Sequence, residues 1–156
     1  MLFRSRLVWA DFKGSPPDGG QEAARTAYGL YYGWKCRGQA FEFRVTAAFL
    51  PNQSWVKAAT VRNTAESRRT LRHEQTHFDV SEVYARRMRR YFQDLLAPCS
   101  QSDEELTTLA QRFVREEKAT QVRYDEETTH GVVAPKQAEW ESEIARQLVL
   151  LSRYAQ

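Results

Sequence analysis

Two histidines four residues apart, His73 and His77, with Glu74 beside the first, can serve one metal ion only from a rigid helix. One helical turn brings positions i and i+4 to the same face, so both rings point toward one ion. The flanking sequence supplies such a helix. From Thr64 or Ala65 onward, Leu71, Phe78, Met88, Phe92 and Leu95 lie on or near a common side over about eight turns. Asn63 or Thr64 can cap its start, with Glu66 and Ser67 close by, and Pro98 stops it. Outside the motif the chain holds one other histidine, His130.

The sequence before this helix reads as strands. Leu7-Val8-Trp9 and Phe12 flank a charged residue, residues 27–32 form a second run, and in 39–49 Phe41, Phe43 and Val45 alternate with Glu42 and Arg44. A loop rich in proline and glycine, residues 14–20, separates the first two, and a turn at residues 51–54 leads into a run from Trp55 to Val61. Beyond the long helix, Ser102 with Glu105 opens a second helix through Leu106, Leu109, Phe113 and Val114 to about Tyr124. A third follows Pro135, with Ala138, Trp140, Ile144, Leu148 and Leu151 facing inward. A mostly antiparallel sheet followed by helices is an α+β domain, and 156 residues make one such domain, 1–156.

Twenty-three basic residues against twenty acidic ones leave a net charge of +3, too small an excess to imply nucleic acid. Cys36 and Cys99 form no CxxC pair and are either two buried thiols or one bridge. No apolar run is long enough to cross a membrane, and Met1 to Ala10, carrying Arg4 and Arg6, is too short an apolar stretch for a signal peptide.

Zinc on His73 and His77 would lower the pKa of a bound water toward neutrality and polarise a substrate carbonyl. Glu74, about 100° around the helix from His73, would hold that water, take its proton and later pass it to the leaving amine. Without a metal, the same two rings are ordinary helix residues, exposed or bonded to carboxylates. Two histidines and a water favour zinc, but a third protein ligand is needed to leave one position for that water. His130 leads. It stands just past the second helix, before Gly131, which permits an unusual backbone angle or a close approach to the metal. Otherwise it is a surface loop residue.

Carboxylates compete with His130. Asp79 points away from the histidine pair on the same helix, Glu82 lies at the margin of the facing arc, and Asp125, Glu126 and Glu127 enter if their loop folds differently. Each could instead orient a ring through its other nitrogen. Tyr124 is either an oxyanion donor across the metal from Glu74 or a core or rim tyrosine with a wet hydroxyl. Trp9, Trp55 and Trp140 read as packing residues, and Trp34 as a turn or groove residue.

Residues 9–14 with Pro16, residues 72–79 with Glu82, Ala85 and Arg86, and Tyr124-Asp125 with Thr128, His130-Gly131, Gln137 and Trp140 resemble a bacterial family. It is catalogued as domain of unknown function 922 and described as zinc-dependent proteases. The resemblance spans nearly the whole chain. It implies a zincin-like fold, Zn(2+) as cofactor, His73 and His77 as ligands, Glu74 as the catalytic residue and His130 as third ligand. Members of that family often look like exported proteins with a leader. None is visible here, so the chain is periplasmic or secreted if a leader was removed and cytoplasmic otherwise.

The expected activity is hydrolysis of a peptide or amide bond, with the edge of the N-terminal sheet aligning an extended substrate. A nucleic-acid module using Arg68, Arg69, Arg72, Arg86, Arg87, Arg89 and Arg90 would need them on one exposed stripe, yet the last four spread around at least two faces. Arginines rimming the cleft would instead favour acidic peptides or peptidoglycan stem peptides. A non-catalytic zinc-bearing interaction protein would show a closed, fully ligated ion or an obstructed cleft.

Overall fold

A computed structural model describes residues 6–155. Met1 to Ser5 lie outside the described residues, and with them half of the segment weighed above as a leader. The architecture is α+β: two small antiparallel strand pairs and three long helices.

The larger pair is a hairpin, β2 (Tyr28–Arg37) with β3 (Ala40–Phe49), in register from Tyr28 opposite Phe49 to Arg37 opposite Ala40. Gly38, at φ 60, supplies the left-handed residue that the tight turn requires. Because side chains alternate, Leu30, Tyr32, Trp34, Phe41, Phe43 and Val45 share the face that joins the core, and the Phe43 ring stacks on Phe92 at 4.0 Å. Trp34 is therefore a strand residue and not part of a turn, and its indole donates to Asp103 at 3.0 Å. The second pair, β1 (Ala24–Arg25) with β4 (Trp55–Val56), is only two residues long.

Two expected strands are corrected. Leu7 to Phe12 is a 3-10 turn over Trp9–Asp11, because the Asp11 carboxylate turns back to accept from the Val8 amide at 2.8 Å. The run from Trp55 to Val61 stops pairing at Val56 and coils into a 3-10 turn at Ala58–Thr60.

Helix α1 (Ala65–Asp94) is the central element, about 45 Å long at the usual rise. The Thr64 hydroxyl caps it by accepting from the Ser67 amide at 3.1 Å, and the chain turns away through Ala97, at φ 44, into Pro98. Sheet and helices surround its middle, so Val80 to Arg86 are all buried. Helix α2 (Asp103–Thr128) begins with the expected capping box of Ser102 and Glu105 and runs four residues past Tyr124. Its buried stripe recurs at steps of three and four: Leu106, Ala110, Phe113, Glu117, Gln121, Tyr124, Thr128. Helix α3 (Ala134–Leu150) buries Gln137, Trp140, Ile144 and Leu148; Ala138, expected inside, is exposed because the stripe passes through Gln137.

Cys36 and Cys99 are joined in a disulfide, with Cα atoms 5.8 Å apart, which fastens the end of β2 to the turn between α1 and α2. Among the described residues no helix is long and apolar enough to cross a membrane.

Candidate metal centre

His73 and His77 leave α1 where α2 and α3 pack on it, and both are buried. Their Nε2 atoms are 3.2 Å apart. Asp125 Oδ1 closes the triangle from α2, 3.2 Å from His73 Nε2 and 3.0 Å from His77 Nε2. These three side chains form a group that could hold a metal ion.

The partners of the outer ring nitrogens fix the chemistry of that triangle. Gln137 donates its amide nitrogen to Glu141 at 2.8 Å, so its oxygen is the atom facing His73 Nδ1 at 3.1 Å. Gln121 donates to the His77 carbonyl at 2.9 Å and to Glu117 at 2.7 Å, and its oxygen faces His77 Nδ1 at 2.7 Å. Each amide oxygen can only accept, so in the neutral ring the proton sits on Nδ1. Nε2 of each is left with a bare lone pair, and both lone pairs meet a carboxylate oxygen.

Distance alone would pair Asp125 Oδ1 with the rings, yet it is buried without a hydrogen-bond donor, since both ring protons are on the far side. Three acceptors converging in a buried space repel unless a cation joins them. A proton is the minimal cation. Burial opposes charging of His77, but Asp125 and Glu74 outweigh it and its pKa is raised. Burial likewise pushes the Asp125 carboxyl up, but His73 and His77 prevail and hold it well below the usual carboxylate range.

Glu74, next to His73, is buried and also has an oxygen, Oε2, without a hydrogen-bond partner among the described residues. Glu74, His73, His77, Asp125 and His130 all line a cleft of about 920 Å³, together with Arg25 and Tyr28 at its strand wall. Tyr28 stacks on His77, with centroids 6.2 Å apart and planes at 13°. Burial raises its phenol above the ordinary value, with Glu117 and Asp125 adding to the shift and Arg25 opposing it.

His130 stands beside the triangle. Its Nδ1 is 3.5 Å from Asp125 Oδ1 and its side chain is 62% exposed. Thr129, His130 and Gly131 follow one another at positive φ (48, 52 and 79), a left-handed turn held by bonds from the His130 amide to Asp125 O and from the Gly131 amide to Thr128 Oγ1. Gly131 has the unusual backbone angle expected of it, and it lies against His73, where an added Cβ would be 3.0 Å from that side chain.

Tyr124 is fully buried. Its ring stacks on His73 at 4.7 Å, and its hydroxyl donates to Gln137 Oε1 at 2.8 Å and lies 3.3 Å from the His73 carbonyl. It thus holds His73 from behind, with its phenol raised by burial. Asp79 accepts from Gln75 at 3.0 Å. Glu82 is turned to Arg86 at 2.7 Å and Arg89 at 3.4 Å. Neither carboxylate belongs to the cluster.

The basic residues of α1 are dispersed. Arg86 is buried and donates to the Leu148 carbonyl, Arg89 donates to the Val45 and Tyr154 carbonyls, Arg87 lies over Tyr84, and Arg72 faces Glu141.

The family model described as "Bacterial protein of unknown function (DUF922)" matches residues 9–131, most of the chain. The chain belongs to this family. The match takes in the histidine pair, Glu74 and Asp125 and ends at Gly131, before the Gln137 that fixes His73. No curated protein and no solved structure matches the chain.

Gln121 had escaped the sequence reading altogether. The signal was there: Glu117, Gln121 and Thr128 are polar residues at the spacing of a buried stripe, where an apolar side chain is the default.

Proposed function

We propose that this is a zincin-like, zinc-dependent hydrolase of peptide or amide bonds. One observation carries the reading: three buried acceptor atoms converge, with no donor between them, beside an orphaned glutamate in an open cleft. Two imidazole nitrogens and a carboxylate oxygen that lie 3.0 to 3.2 Å from one another are a donor set that fits zinc. His73, His77 and Asp125 would hold the ion, with His130 the neighbouring group at its rim. When bound, zinc supplies Lewis acidity to a carbonyl and to water.

The chain's own residues do the rest. Gln121 and Gln137 keep Nδ1 protonated and so keep Nε2 available. Glu74, without a partner for Oε2, accepts the proton that water loses as its oxygen adds to the carbonyl carbon, and returns it to the leaving nitrogen. An extended peptide fits the strand wall of the cleft, where residues 23–30 approach the helices.

The Glu74→Gln variant tests the assignment. It should retain zinc and its folded stability while losing about 10²–10⁴-fold in turnover of a peptide library. Turnover equal to wild type would remove Glu74 from the chemistry.

A further inference from the structure

We infer that Tyr28 offers a hydrogen-bond donor to the substrate carbonyl oxygen, an inference that rests on the hydrolase reading above. Hydrolysis places negative charge on that oxygen as water adds to the carbon, and a donor fixed in advance lowers the barrier more than one recruited during the reaction. The sequence offered Tyr124 for this duty, but its hydroxyl is spent inside the core on Gln137.

Of the seven tyrosines, Tyr28 is the one that lines the cleft among the described residues. Among the described residues its hydroxyl has no hydrogen-bond partner, although the residue is only partly exposed. Its ring lies along His77, 6.2 Å away and near parallel, so Tyr28 lines the cleft from the strand wall while Glu74 lines it from α1.

Its backbone is fixed on both sides. Tyr28 opens β2 opposite Phe49, and the preceding Ala27 donates to Ser54 Oγ at 2.9 Å and accepts from the Leu50 amide at 2.9 Å. A donor mounted in this way keeps its place without a substrate. Arg25 and Lys118, also at the cleft, are exposed, half-buried Arg69 is like them on a long flexible stem, and His130 turns Nδ1 to Asp125. The phenol keeps its proton throughout and shares it with the oxygen that gains charge.

Tyr28→Phe removes the hydroxyl and leaves the ring on His77. The full chain, zinc-loaded, is compared with wild type for zinc content, for kcat and KM on a peptide library, and for calorimetric binding of the Ala-Ala phosphinic pseudo-dipeptide, whose anionic oxygen stands in for the charged carbonyl oxygen. We expect unchanged zinc content and KM, with kcat and phosphinate affinity each reduced roughly 10²-fold. Unchanged kcat and phosphinate binding would overturn the role of Tyr28 alone. So would loss of zinc, which would make the ring a support for His77. If wild type binds the phosphinate but cleaves no peptide, the hydrolase reading fails on its own, and the affinity ratio still decides for or against Tyr28. A zinc-loaded wild type that neither binds nor cleaves overturns both.

Discussion

Gln121 and Gln137 determine which nitrogen of each histidine carries the proton. Each presents an amide oxygen to Nδ1 because its amide nitrogen is held elsewhere, by the His77 carbonyl and Glu117 in one case and by Glu141 in the other. Replacing Gln121 with leucine keeps the volume roughly constant but frees the tautomer. Zinc affinity, measured by competition with a chromogenic chelator, should fall about 10–100-fold while the helix content stays the same. Unaltered affinity would mean that the ring needs no such orientation. Sequence reasoning identified His73, Glu74 and His77 because their spacing states their geometry. It put His130 first for the third position and kept Asp125 only as a competitor, because that order depends on whether α2 ends at Tyr124 or at Thr128.

That extra helical turn at the end of α2 has a physical cause. Thr128 donates its hydroxyl back to the Tyr124 carbonyl at 2.7 Å, and the left-handed Thr129 closes the helix by donating to the Asp125 and Glu126 carbonyls. Asp125 is thereby held on a rigid element one step from the buried Tyr124. The start of α1 was legible from its cap, and that of α2 from its capping box. The two-residue strand β1 was not, and β4 was read too long, since the two exist only by pairing with each other across thirty residues of chain.

The buried polar stripe of α2 also carries a pH dependence. Burial raises Glu117 above its ordinary value, against opposing hydrogen bonds from Gln121 and Ser81 and the charge of His77. The folded chain therefore holds this proton more tightly than the unfolded chain. Its contribution to stability falls as pH rises from the ordinary carboxylate range through the raised value. Glu117→Gln should remove that slope, so denaturant midpoints taken from pH 4 to 8 should show the variant gaining on wild type as pH increases. Parallel curves would contradict the burial argument.

At the scale of the molecule, α1 organises everything: one face carries the hairpin, the others receive α2 and α3, and the cleft opens where the strand wall approaches the two histidines. The disulfide ties the far end of the hairpin to the α1–α2 turn across a sequence separation of 63 residues. Closing a loop of that length constrains the unfolded chain by about 4 kcal/mol, and such bridges persist where thiols are not kept reduced. The double variant Cys36→Ser, Cys99→Ser should lower the unfolding free energy in urea by an amount of that order while leaving zinc stoichiometry intact. A loss of zinc would show that the bridge shapes the site as well as the fold.

In the reading proposed here His73, His77 and Asp125 bind one zinc ion together. The decisive experiment is elemental mass spectrometry of protein dialysed against metal-free buffer, with wild type beside His73→Ala, Asp125→Ala and His130→Ala. About one zinc ion per wild-type chain is expected, lost from the His73 and Asp125 variants and kept by the His130 variant. Zinc kept without Asp125 but lost without His130 would transfer the third position to the histidine. A folded wild type that takes up no zinc on titration would contradict the claim outright.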